Sequence, residues 1–151
     1  MIEQIRQFRH NVERWQASLP EVVLGSVKDN EAAILDLNIE DQLFQKGIDS
    51  DGQAITPGYT PLTISIKRQK GQPTDRVTLR DAGDFHRSFQ ISYGNDAFGI
   101  TASDPKSAKL EKKYGPDIFG LTDDSLQEAI DLTKPNIHQR SEKIIFHNLN
   151  G

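Results

Sequence analysis

Cysteine is absent from the 151-residue chain, which removes disulfides, thiolate metal sites and a cysteine nucleophile together. Stability must come from packing, as suits a protein made in a reducing cytosol. No apolar run approaches the roughly 20 residues that cross a bilayer, and Met1-Ile2-Glu3-Gln4-Ile5-Arg6 lacks the apolar stretch of a signal peptide. The expectation is a chain that neither spans a membrane nor leaves the cell by that route. Hydrophobic residues make up only 35% and aromatics 7%, against 26% charged, with a mean hydropathy of -0.60. A modest core and a wet surface follow, short of the composition of a disordered tail.

Positive charge is also scarce. The net charge of -4 and pI near 5.5 argue against a general grip on phosphate backbones, which needs a concentrated basic face. The exception is local: Lys67, Arg68, Lys70, Arg76 and Arg80 stand against Asp75 alone, five basic residues to one acidic. With Tyr59 they form the candidate partner-contacting set, although charge runs commonly just solvate a surface.

Chemical signatures are missing in the same way. His10, His86, His138 and His147 are scattered without metal-ligand spacing. There is no Gly-x-Ser-x-Gly elbow, Walker loop or Gly-x-Gly-x-x-Gly. Asp49 and Asp51 resemble the opening of a calcium loop, but Thr60 stands where the closing glutamate belongs. Asp81, Asp84, His86 and Arg87 come nearest to an acid/base cluster; their spacing equally makes Asp84 and Arg87 an i, i+3 pair and Asp81 a helix cap. The expectation is no enzyme, no cofactor and no metal.

What is present is secondary-structure grammar. Ile5, Phe8, Val12, Trp15 and Leu19 recur at 3-4-3-4 spacing, an amphipathic helix over 1–19 that Pro20 ends. The seam should bury Trp15 within the fold, or pair with another subunit. A second helix starts at Asp29 or Asn30 and stops at Gly47. Asp51-Gly52 is a turn, and Leu62, Ile64 and Ile66 fit either a strand or a helix begun at Thr60-Pro61. Residues 68–75 read as a loop. Phe89-Ile91-Tyr93 and Phe98-Ile100-Ala102 alternate around Gly94-Asn95-Asp96, an antiparallel hairpin. Ser103 or Asp104 caps a helix that Gly115 stops, Ile118-Phe119-Gly120-Leu121 is an apolar plug, a further helix runs from Thr122 to Pro135, and a last one covers 136–149. The sum is one domain of α+β class, with helices packed on a small antiparallel β-sheet and long ordered loops.

The segment Leu79-Arg80-Asp81-Ala82-Gly83-Asp84-Phe85-His86-Arg87-Ser88-Phe89 resembles the Leu-x-Asp-Thr-Gly-x-Leu-x-x-Ser-Ile signature of bacteriophage virion-morphogenesis and tail-completion proteins. Asp51-Gly52, Tyr59-Thr60-Pro61-Leu62 and the basic run from Lys67 are similar to that family's approach to the signature. Tyr114-Gly115 and Ile118-Phe119-Gly120-Leu121-Thr122 are similar to its later segments. The likeness spans about 30–135, with Ala82 for the usual Thr, no Trp after Asp51-Gly52, and Asp117-Ile118 where Arg-Pro is usual. It implies a structural virion protein of the head-tail junction or tail, forming a homo-oligomeric ring, contacting other neck or tail proteins and assembled in the bacterial cytoplasm. Leu79, Asp81, Gly83, Phe85, Ser88, Phe89, Tyr114, Gly115 and Phe119 are then structural motif residues. Loops 50–61 and 68–76 are expected to order against neighbouring subunits. The alternative is a small nucleic-acid-binding or interaction protein of a mobile element that uses the basic 67–80 segment.

Overall fold

The computed structural model describes residues 1–149. Seven α-helices and one two-stranded antiparallel sheet are found among them, so the α+β class stands. The chain gathers into two compact units. One comprises Met1–Glu31, Tyr93–Phe98 and residues 130–149; the other comprises Ala32–Ser92 and Gly99–Ala129.

In the first unit, α1 runs Ile2–Ala17 and α2 runs Leu19–Asp29. Pro20 does more than close the first helix: it lies in the opening turn of the second, where its missing N–H costs nothing. Ser18 makes the break, its Oγ donating back to Arg14 O at 2.8 Å. The last long helix, α7, is continuous over Asp123–Ile145 with Pro135 inside it, not two helices divided at that proline. Contacts made just beyond it outweigh the local defect. Asn30 Nδ2 donates to Asn136 Oδ1 at 2.8 Å, Arg140 pairs with Asp29 at 2.8 Å, and Trp15 Nε1 donates to Ser141 Oγ at 2.9 Å. Leu149, expected on a final helix, lies beyond its end.

In the second unit, α3 (Glu31–Asp36) continues as a π-wound segment, Leu37–Lys46, which Gly47 ends in the left-handed region at φ 63. A side chain at position 47 would bring its Cβ within 2.7 Å of Arg76 Cβ, so both backbone and space demand glycine. The 62–67 ambiguity resolves as helix: α4 covers Pro61–Gln69, with Thr60 Oγ1 accepting from Thr63 N and proline at the first position. A four-residue helix, α5 (Asp84–Arg87), leads into β1 (Phe89–Tyr93) and β2 (Phe98–Ala102). Gly94 N donates to Ala97 O at 2.8 Å and Ser103 N to Ser88 O at 3.0 Å, a register that sets Ile91 opposite Ile100. Next come α6 (Ser107–Tyr114) and a short 3₁₀ turn, Pro116–Ile118.

The core of this unit is Leu43, Ile55, Val77, Phe85, Phe89, Ile100 and Ile118. Phe85 meets Phe89 edge-on at 5.0 Å, and Phe89 meets Phe119 at 5.3 Å. The apolar plug is pinned by two amides that sequence reasoning passed over. Asn38 Nδ2 donates to Ile118 O at 3.2 Å and its Oδ1 accepts from Gly120 N at 3.1 Å. Gln42 Nε2 donates to Gly120 O and its Oε1 accepts from Thr122 N, both at 2.9 Å. Both side chains are fully buried, so two helical amides pair with segment 118–122 as a neighbouring strand would.

Candidate functional site

The segment from Tyr59 to Phe89 carries both the basic cluster and the motif, and its geometry begins at Thr78. Thr78 is fully buried; its N–H donates to the Tyr59 hydroxyl at 2.9 Å, and its Oγ1 accepts from Arg80 N at 3.3 Å. These bonds hold Leu79 between them in the left-handed region at φ 55, a conformation costing a leucine on the order of 1 kcal/mol. The chain reverses there, and Gly83 (φ 92) turns it again into α5.

His86 closes the corner. Arg80 Nε donates to His86 Nδ1 at 3.1 Å, so Nδ1 must hold its lone pair; Nε2 carries the proton and donates to Thr78 O at 2.9 Å. Burial, then the Arg80 guanidinium beside it, pulls the imidazole pKa down to about 4, against the smaller upward pull of the Thr78 carbonyl. Both ring nitrogens are occupied in this neutral form, which leaves neither available for proton transfer.

The candidate partner set is placed as follows. Lys67 is buried, its ammonium donating to Arg80 O at 2.8 Å and Gln72 Oε1 at 3.3 Å, 4.8 Å from the Tyr59 ring centroid. Arg80 also pairs with Glu40 and lies 4.1 Å over the Phe44 ring. Arg76 donates to Phe44 O at 2.8 Å and pairs with Asp75 at 2.7 Å. Lys70 pairs with Asp81 at 2.7 Å; that bond, with a second from Gln72, holds the Asp81 carboxyl below its usual range. Tyr59 is a structural strut, and four of the five basic side chains are engaged inside the unit. Arg68 remains exposed on α4.

The loops expected to order on neighbours are likewise tied internally. Asp49 Oδ1 accepts from Asp51 N at 3.0 Å and Gln53 N at 2.9 Å, and Ile48 bridges Ala54. The calcium-like aspartate is therefore a turn cap, and no group of metal-ligating side chains forms among the described residues. Gln72 Nε2 donates to Asp81 O at 3.1 Å, tying the second loop.

The acid/base cluster does not come together. Asp84 pairs with Arg87 and Asp81 with Lys70, while His86 faces Arg80 and Thr78. Asp81 is not the cap of α5 either; Gly83 occupies that position. Two clefts flank the corner. One, about 520 Å³, has Leu35, Ile39, Glu40, His86 and Phe89 on its walls. The other, about 210 Å³, is lined by Tyr59, Lys67, Leu79, Phe85, Leu110 and Tyr114.

The remaining motif residues are structural. Phe85, Phe89, Phe119 and Tyr114 belong to or border the core, Ser88 Oγ donates to Phe85 O at 2.7 Å, and Gly115 ends α6. What lies open instead is apolar: Leu62 (72% exposed) and Ile66 on α4, and Ile2, Ile5 and Phe8 on α1 with Phe146. No helix is long and apolar enough to cross a membrane among the described residues. No protein-family model, curated protein or solved structure matches the chain.

Proposed function

We propose that the protein is a structural assembly subunit of a bacteriophage particle, acting at the head-tail junction or tail through contacts with its own copies and with other virion proteins. The observation that carries this reading is the inversion of what the surface offers. The polar side chains of the motif are engaged inside their own unit, while large apolar side chains, Leu62, Ile2 and Ile5 among them, stand in solvent. Such exposure suits protein contact. The engagement of Lys67, Lys70, Arg76 and Arg80 weighs against a phosphate-tracking face. The resemblance around Leu79–Phe89 supplies the phage context.

The test is mass spectrometry of particles purified from the phage or prophage that encodes the chain. Recovery in stoichiometric, multiple copies per particle is expected. Its absence from intact particles, or strongly salt-dependent DNA affinity through Arg68 and its neighbours, would contradict the reading.

A further inference from the structure

The helix pair of the first unit is docked in an unusual way. The one fully buried residue of α1 is polar: Asn11, whose Nδ2 donates to the carbonyls of Ile145 and His147 at 3.0 and 2.8 Å. Val12 and Trp15 are half-buried, but the N-terminal part of the apolar seam stands open. Ile5 remains 61% exposed, Phe8 43% and Ile2 70%. Asn11 is level with the end of α7, so residues 2–8 run past it, about 9 Å of helix at ~1.5 Å per residue. Phe8 sits beside Phe146, ring centroids 6.4 Å apart, where the overhang meets a groove. That groove lies along α7, lined by Trp15, Pro135, Ile137, Ser141, Ile145 and Phe146.

We propose that the α1 overhang of one copy, carrying Ile2 and Ile5, docks into the Trp15–Phe146 groove of a second copy. Ridge and groove are different surfaces of the same unit. Their union is heterologous and leaves a free ridge at one end and a free groove at the other, the geometry that makes rings or filaments. The groove from Pro135 to Phe146 is some 16 Å long at ~1.5 Å per residue, enough for the overhang. The open parts of Ile2, Ile5, Phe8 and Phe146 amount to roughly 400 Å². One ridge on one matching groove therefore buries at most ~800 Å² counting both copies, the size of a weak, reversible contact that repetition around a closed assembly would reinforce.

Charge selects a second copy over an anionic surface. Glu3 pairs with Arg6 at 3.6 Å, Arg9 with Glu13 at 3.2 Å, and His138 with Glu142 at 3.0 Å. α1 sets three arginines against two glutamates and α7 five acidic residues against three basic ones, unlike the Lys/Arg-rich flank that a helix lying on anionic lipid needs. The inference rests on the assembly reading for its biological setting and names the surface that reading requires.

The experiment is sedimentation velocity on wild type, Ile5→Glu (ridge), Pro135→Glu (groove) and an equimolar mixture of the two variants. Both sites are exposed helical positions, and circular dichroism checks the fold; Ile2→Glu repeats the ridge test if Ile5→Glu loses helix. Wild type is expected to form species beyond the dimer, each variant alone to lose association at least tenfold, and the mixture to stop at a dimer, because only one intact ridge and one intact groove remain. A blue shift of Trp15 emission should accompany the mixed dimer. A monomeric wild type, variants that associate like wild type, or a mixture that stays monomeric would each overturn the proposal. Oligomers that persist in the variants would sink this surface and leave the assembly reading intact. Ridge-to-groove oligomers in a protein missing from particles would do the reverse.

Discussion

Asn11 caps the far end of the chain: its amide nitrogen holds the carbonyls of Ile145 and His147 while its oxygen accepts from Gln7 Nε2 at 2.9 Å. A single asparagine with no exposed surface thus satisfies carbonyls that the end of α7 leaves without helical partners. Replacing it by leucine keeps the volume and strands those carbonyls. Asn11→Leu should lower stability by about 2 kcal/mol, read as a lower urea midpoint at unchanged slope.

His86 sets a pH dependence. Its folded pKa of about 4 lies below the ordinary value of 6.5, so the unfolded chain takes up the proton first. Stability is full above the unfolded pKa, falls as the pH drops from 6.5 towards 4, and loses nothing more from this group below that. The loss over that window should be on the order of 3 kcal/mol. Urea titrations across it should show this slope in wild type and a flatter one in His86→Gln.

Gly83 should be replaceable only at the expense of strain. Its φ of 92 is unfavourable for alanine, whereas the clash of a new Cβ with Arg87 Nη1 at 2.7 Å is relieved by moving a flexible side chain. Gly83→Ala should therefore destabilise by about 1–2 kcal/mol, through the backbone and not through packing. The additional substitution Arg87→Ala would leave that deficit in place, measured again by denaturant midpoint.

Pro135 interrupts the hydrogen-bond ladder of a helix that stays continuous through it. Pro135→Ala should raise stability by about 1–3 kcal/mol and the melting temperature by several degrees, by calorimetry.

Much of the second unit is legible in the sequence, and the reasons are local. The 89–93 and 98–102 hairpin announced itself by alternation around Gly94-Asn95-Asp96, and Gly47 marked a helix end because only glycine fits its left-handed φ. Where partners lay far away in sequence, the reading failed. Pro135 looked like a boundary because the bonds that override it come from Asp29, Asn30 and Trp15, more than a hundred residues earlier. The basic run looked like a surface because nothing near it in sequence shows Glu40 and Phe44 waiting for Arg80. Asn38 and Gln42 carried a usable signal, two amides spaced by four among apolar residues of one helix. The exposed seam of α1 was invisible for another reason: periodicity gives the apolar face of a helix but not which neighbour the face meets.

The most direct test is native mass spectrometry of the unmodified chain from nanomolar to high micromolar concentration, at low and at high salt. Apolar self-contact predicts oligomers that grow with concentration and survive high salt, since screening weakens only charge-driven association. A monomer at every concentration, or oligomers that dissolve as salt is raised, would contradict the account.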